Sequence, residues 1–314
     1  MTVAWLTRKG RRLGQALVAL CLIGLSVQAT AGRVTVVLSD DSAPYQEIYQ
    51  VVRVLLSDAG HEVERVYAGN RAELALDAPQ LTLAVGVLAA EAVADTANRA
   101  SVLAVLVPRS WFVKSGRARL ADGGRRNVSA IYVDQPFERQ AQLVRVAFPE
   151  ARRVGVLLST EQAALAGEIG AALAAQQLEL VKQTVPTDAR LITPLEAVLA
   201  GSDLLLAVPD PQIFNRNTAQ SIFLTTYRYR IPVQGYSQSL TRAGALLSLH
   251  SSPAQIGRQA AEWLNQALQA VTPQLPAPAY PAYFSVSIND QVARSLGIAL
   301  PAEAALEKRL GGGR

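Results

Sequence analysis

The chain has 314 residues, half of them apolar, with 30 Lys and Arg against 25 Asp and Glu, two His and a single Cys. That length suggests two domains of roughly 100 to 150 residues each, with enough apolar content for two cores. The formal charge of +5 is concentrated at the start of the chain: without residues 1–31, 26 basic residues face 25 acidic ones. A near-neutral remainder argues against a nucleic-acid binder.

Residues 1–31 read as a cleavable secretory signal. Arg8, Lys9, Arg11 and Arg12 form the basic region, Ala16 to Leu25 the apolar region, and Ala29-Thr30-Ala31 the cleavage site. The mature protein then begins at Gly32 and is periplasmic. A membrane anchor is the alternative, but the apolar run is short and is closed by Gln28 and Thr30. A lipoprotein reading is weaker, because Leu20 stands before Cys21 where a small residue is expected. The only Cys leaves with the signal, so no disulfide is expected. No second stretch is long enough to span a membrane.

Beyond the signal, short Val/Leu-rich runs alternate with helical patterns. Strands are expected at Arg33–Leu38, Glu62–Tyr67, Leu81–Val87, Val102–Val107 and Ala130–Val133. A second series is expected at Val154–Leu158, Leu178–Thr184, Leu204–Val208, Pro232–Gly235 and Ala245–Leu249. Continuous apolar runs of this kind suit strands buried on both faces of a parallel sheet. Helical periodicity appears at Tyr45–Leu56, Glu161–Ala175 and Ile256–Leu268. Pro273 to Pro281 reads as an extended linker. The last elements are a strand through Val286 and Ile288, then a short helix capped by Asn289 or Asp290 and ended by Gly297. The fold class is therefore α/β, with two doubly wound parallel-sheet lobes and a ligand cleft between them.

The tail carries a more specific signal. Ala293, Leu296, Gly297, Ile298 and Pro301 fit an Ala-x-x-Leu-Gly-Ile-x-x-Pro ending. Upstream lie Asn127-Val-Ser-Ala-Ile-Tyr-Val, Pro149-Glu-Ala-Arg-Arg-Val-Gly-Val-Leu157, Asp203-Leu-Leu-Leu-Ala-Val-Pro-Asp210 and Ile231-Pro-Val-Gln-Gly-Tyr236. Arg242 to Leu249 and Pro253-Ala-Gln-Ile-Gly-Arg-Gln-Ala-Ala261 complete the set. In this order they resemble the substrate-binding proteins of ABC transporters with the type I periplasmic fold, in a branch associated with aromatic amino acids such as tryptophan. The first lobe departs from the pattern. The loop Ser39 to Tyr45 lacks a His-Pro segment, and Leu106 to Phe112 replaces a Phe-x-x-Val-x-Asp-Pro run.

The resemblance implies a first lobe of 32–132 plus about 252–281 and a second of 133–251 plus about 282–314, joined by about three crossings. It implies a small-molecule ligand, an amino acid or aromatic compound, and a membrane permease as partner. The alternative is a periplasmic ligand-sensing or accessory protein that presents the same fold to a receptor.

Candidate ligand residues follow the strands. Ser39, Asp40 and Ser42, with Asp41, come after the first strand and suit the charged ends of a ligand; helix capping is the alternative. Arg109, Ser110, Trp111 and Phe112 follow the fourth, where an aromatic pair beside an Arg can stack on a flat acid or tuck against its own lobe. Ser159 and Thr160 can bond a ligand or cap a helix. Asp210 sits in a Pro-Asp-Pro segment that reaches into the cleft or makes a turn. Tyr236, Ser237 and His250 end the next two strands, with a half-buried structural His as the alternative for His250. His61 is given no role.

The rest points away from catalysis. No metal-ligand spacing, phosphate loop or nucleophile elbow is present, and no cofactor is expected. Arg117, Arg119, Arg125 and Arg126 form a basic run that reads as a solvated loop or a docking edge.

Overall fold

The computed structural model describes residues 31–76, 79–186, 190–270 and 272–311. The expected export signal up to Thr30, with Cys21, lies outside the described residues, as do Gly312 and Gly313 of the glycine tail.

Strands β1 (Arg33–Leu38), β2 (Glu62–Tyr67), β3 (Leu81–Val85), β4 (Ser101–Val107) and β5 (Val128–Tyr132) form one parallel sheet in the order β2-β1-β3-β4-β5. Strands β6 (Arg153–Ser159), β7 (Glu179–Val185), β8 (Leu204–Leu206), β9 (Val233–Gly235), β10 (Leu247–His250) and β11 (Ser285–Ile288) form a second. Its order is β11-β10-β9-β8-β6-β7, and only β11 runs antiparallel to its neighbour. All ten expected α/β strands form, with ends within two residues of their expected positions. The inner strands β1, β3 and β4 are buried nearly throughout, as parallel strands covered by helices must be.

Each sheet has its own cores. Val34, Val36 and Leu38 of β1 pack with Ile48, Val52 and Leu56 of the helix Ala43–Asp58. The same core takes Ile256, Ala260, Ala261, Leu264 and Ala267 from the helix Pro253–Leu268, about two hundred residues later in the chain. That helix starts on a reciprocal cap. The Ser252 hydroxyl accepts from the Gln255 N–H, and the Gln255 side chain accepts from the Ser252 N–H. The second sheet packs Val154, Val156 and Leu158 of β6 against Ile169 and Leu173 of the helix Leu165–Ala174. Among the described residues no helix is long and apolar enough to cross a membrane.

The sequence marks no element after β4, where the structure has a helical stretch: Arg109–Trp111, a π turn at Phe112–Gly116, and Arg117–Ala121. Phe112 and Leu120 anchor it in the core, which the mixed Arg/Gly content of the segment concealed. Contrary to expectation, the basic run is not uniformly solvated. Arg126 is 5% exposed, and its guanidinium donates to the carbonyls of Val93, Thr96, Asn98 and Leu120.

Candidate functional site

The chain leaves the first sheet at Tyr132, the carboxyl end of β5, and the second at His250, the carboxyl end of β10. It re-enters the second at Ser285, which pairs with His250. All three passages therefore lie at one end of the strands, and hydrogen bonds join them. The Gln135 amide donates to the Ser251 hydroxyl at 2.8 Å, and that hydroxyl donates to the Tyr283 carbonyl at 2.6 Å. Arg139 ties in further, donating to Gln135 Oε1 at 2.6 Å and to the Pro281 carbonyl at 3.0 Å.

Beside these passages one ion pair spans the two sheets. Arg109, just after β4, donates through Nη1 to both carboxylate oxygens of Glu168 at 3.0 and 3.1 Å. Glu168 lies in the first turn of the helix after β6. A register shift in β4 between Val105 and Val107, with Leu106 at φ 53°, redirects the chain just before Arg109. Left-handed backbone at a leucine costs about 1 kcal/mol or more, and the flanking sheet holds it. The Arg109 N–H donates to the Asp134 carboxylate at 2.6 Å. The Arg109 guanidinium stands 6.0 Å from the Tyr280 ring centre.

An aromatic chain runs from there. Tyr280 meets Tyr132 edge-on at 5.4 Å, and Tyr132 meets the buried Phe112 at 5.8 Å. Burial raises the Tyr280 pKa to about 12, raises that of Tyr132, and raises that of the Asp134 carboxyl against the bond from Arg109. Burial opposes the Arg109 charge, but Tyr280 and Glu168 more than offset it and hold its pKa above the ordinary value.

The candidates fall into two groups. Ser39, Asp210 and Ser237 hold loops in place. The Ser39 hydroxyl donates to the Val85 carbonyl at 2.8 Å and accepts from the Ala89 N–H at 3.0 Å, stitching the ends of β1 and β3 to a helix start. It can sit there because Gly86, at φ +89°, has no Cβ; one would stand 2.5 Å from the hydroxyl. Asp210 is 2% exposed and accepts from the Ser159 N–H at 2.9 Å and the Gln212 N–H at 3.0 Å, tying the ends of β6 and β8 together. Ser237 caps the helix Gln238–Ala243 through the Leu240 N–H. Trp111 is half-buried, with its indole folded over Gly116 and against the first-sheet core.

The second group has side chains less committed to the fold. Asp40 and Ser42 are exposed; the Ser42 side chain and N–H hold the Asp40 pKa down, and Ser42 heads its helix without a side-chain cap. Thr160 is exposed just beyond β6. The buried hydroxyl of Ser159 has no hydrogen-bond partner among the described residues. Tyr236 meets Phe214 edge-on at 6.3 Å. His250 is half-buried with Nδ1 3.5 Å from the Ser248 hydroxyl, and burial lowers its pKa. His61 bonds Asn265 at 3.0 Å. No group of His, Cys, Asp and Glu fit to hold a metal occurs among the described residues.

Residues 54–308 match the family model described as ABC transporter substrate binding protein. The chain belongs to this family. The match begins within the helix Ala43–Asp58, after β1, and includes the segment Leu106 to Phe112. No curated protein sequence matches the chain. Solved structures share the family's fold. A conserved domain protein from Vibrio cholerae is 20% identical, with a TM-score of 0.58 over 89% of this chain and 98% of that one. An ABC domain from Streptococcus pneumonia, in complex with L-Trp, is 16% identical, with a TM-score of 0.57 over 89% and 99%. A ligand-free, open substrate-binding protein with adhesive properties from Clostridium difficile is 14% identical, with a TM-score of 0.69 over 87% and 97%. Both lobes of the fold are thus shared with known binding proteins.

Sequence reasoning missed Glu168, Asp134, Tyr280 and Gln135. Glu168 sits inside an Ala/Gly-rich helix and Tyr280 inside a Pro/Ala linker, and neither neighbourhood signals a contact across the fold. Position relative to strand ends was the one available signal. It reached Arg109 and stopped there.

Proposed function

We propose that this member of the substrate-binding family is exported by its signal segment, cut after Ala31, and captures a small organic molecule between its lobes for an ABC permease in the membrane. The observation that carries the proposal is the Arg109–Glu168 pair. It joins the carboxyl end of a strand in one sheet to the helix following a strand of the other, so the ligand-bearing ends of two parallel sheets face each other. A solute held there touches both lobes only when they close, and binding shifts the population towards the closed form.

The ligand we propose is an amino acid or a flat aromatic compound. Arg109 suits its carboxylate, Trp111 and Tyr236 its ring, and Thr160, the Ser159 hydroxyl, Asp40, Ser42 and His250 its polar groups. Ser39, Asp210 and Ser237 contribute by shaping the loops. The L-Trp complex of the Streptococcus relative makes aromatic amino acids the first ligands to try.

Thermal-shift screening of the purified protein against amino acids, aromatic acids, nucleosides and sugars tests this. A ligand at one hundred times its Kd stabilises the fold by about 2.7 kcal/mol. Arg109→Met and Thr160→Val, at partly exposed positions, should weaken a hit while leaving the unliganded Tm near wild type. A folded sample that responds to no solute in the panel refutes the proposal. Mass spectrometry of the secreted chain should give an N-terminus at Gly32.

A further inference from the structure

In each sheet the chain reverses its direction of winding at one place. In the first, β1 lies between β2 and β3, so the chain leaves it to one side and returns on the other. In the second, β6 lies between β7 and β8 in the same way. Such a reversal opens a crevice at the carboxyl ends of the strands concerned. The two crevices are furnished differently. At the second, the Ser159 N–H donates to Asp210, while the hydroxyl of this residue, 1% exposed, has no partner among the described residues. At the first, the Ser39 hydroxyl is engaged by the Val85 carbonyl and the Ala89 N–H, and the free group is a ring.

That ring is Tyr45. It stands in the first turn of the helix Ala43–Asp58, and its N–H donates to the Ser42 carbonyl at 3.1 Å. The next residue pins this helix start to the end of β2: the Gln46 amide donates to the Tyr67 hydroxyl at 2.8 Å and accepts from Arg65 at 3.0 Å. The phenol end of Tyr45 lies across Gly86, the residue that follows β3. A methyl on Gly86 would stand 3.1 Å from Tyr45 Cε1 and Cζ, so only glycine lets the ring reach the gap between β1 and β3. Tyr45 is half-buried, packed in part against the first-sheet core, and its hydroxyl has no hydrogen-bond partner among the described residues. It precedes the stretch 54–308 matched by the family model, so no family motif accounts for it.

We infer that Tyr45 is the residue that selects a planar ring: an aromatic solute lies against the exposed part of the Tyr45 ring, at the crevice of the first lobe. This rests on the capture function proposed above and narrows it to ligands with a flat π system. Such a ligand gains offset or edge contacts with the tyrosine ring that an aliphatic side chain of similar size lacks. Trp111 is folded over Gly116, and Tyr236 meets Phe214 within the second lobe, whereas the strand-end position of Tyr45 puts its ring where the sheet itself opens. The ring is held by a pinned helix start and needs no rearrangement to receive the ligand, which keeps the ordering cost of binding low.

The test titrates L-tryptophan, L-phenylalanine, L-leucine and galactose into protein carrying carbon-13 on its tyrosine rings, with Kd from calorimetry. The Tyr45 signal is the one that Tyr45→Phe removes. An aromatic amino acid should bind and shift that signal through its ring current, and L-leucine and galactose should not. Tyr45→Phe should keep the affinity for the aromatic solute, whereas Tyr45→Met should raise its Kd by about three- to tenfold, the range that an aromatic pair supplies. The ring signal of the unaltered protein carries the test if Tyr45→Met folds poorly. The inference is overturned, with the capture function left standing, if an aromatic solute binds without moving the Tyr45 signal, or if L-leucine or galactose binds more tightly than both aromatics. Failure of both aromatics to bind also overturns it. The capture function falls with it only if no solute of the thermal-shift panel binds either.

Discussion

Replacing Arg126 by Met should destabilise the protein without touching ligand capture. The Arg126 side chain is buried and has no carboxylate on it. Its Nε donates to the Asn98 carbonyl at 2.5 Å, and Nη1 to those of Val93 and Leu120 at 3.0 and 3.5 Å; Nη2 donates to that of Thr96. Burial accordingly lowers its pKa from the ordinary value. Methionine fills much of the volume but removes every donor. The Val93 carbonyl keeps the Thr96 N–H and hydroxyl as donors, so the loss falls on the carbonyls of Thr96 and Asn98. Losing the guanidinium's donors to these two partly buried carbonyls costs about 1 to 3 kcal/mol each, partly offset by the desolvation the guanidinium no longer suffers. A net loss of about 3 kcal/mol corresponds to a fall in Tm of roughly 6 to 12 °C for a protein of this size. Differential scanning calorimetry measures it, with Arg126→Lys falling between the two. Arg126 precedes β5, at the end of the sheet away from the crossings, so the Kd for any cleft ligand should not change. A Tm within 1 °C of wild type would refute the reasoning, since the carbonyl cage would then be worth no more than its desolvation.

Three further outcomes are expected. The side chains of Arg109 and Glu168 are 40% and 37% exposed, so their pair is worth at most about 1 kcal/mol, yet it bridges the lobes. Glu168→Arg should therefore enlarge the radius of gyration in small-angle scattering and Arg109→Glu/Glu168→Arg should restore it; identical curves would sink the bridging role. The lowered pKa of His250 means that the folded state favours the neutral ring. Its stabilising share is complete above the unfolded value of about 6.5 and is lost as pH falls through the lower folded value. Tm measured from pH 7.5 to 5 should drop less for His250→Gln than for wild type, and parallel curves would contradict this. Gly86→Ala places a methyl at φ +89° against Ser39, and should lower stability by about 2 kcal/mol or more in urea unfolding; an unchanged midpoint would mean that the β1–β3 stitch is slack.

The architecture was legible because parallel strands covered on both faces leave uninterrupted Val/Leu runs, and these mark β1, β3, β4 and β6 almost residue by residue. Asn289 and Gly297 were equally legible, as a cap that accepts the Val292 N–H and a left-handed stop at φ 70°. The helical stretch after β4 was not, since its π turn and Gly116 break the usual periodicity and only Phe112 and Leu120 face inward. At the site, strand-end position found Ser39 and Asp210 but not their duties. Whether a serine serves a ligand or the Val85 carbonyl depends on a glycine forty-seven residues away, which no local pattern encodes. The same limit hid Glu168 from Arg109.

The late helix Pro253–Leu268 has a consequence for how the chain is made. It completes the core begun by Val34, yet it is synthesised after nearly the whole second lobe. The first five strands emerge with one sheet face lacking Ile256, Ala260 and Leu264, and that apolar face stays open until those residues arrive. The second lobe has β6 to β10 in one unbroken stretch and lacks only β11 and the terminal helices. The order of birth is therefore the reverse of the order of completion: the lobe that starts first finishes only when a segment from beyond its neighbour returns to close it. A chain cut short before residue 253 leaves its oldest half unfinished, which ties the fate of the first lobe to faithful synthesis of the last fifth of the protein.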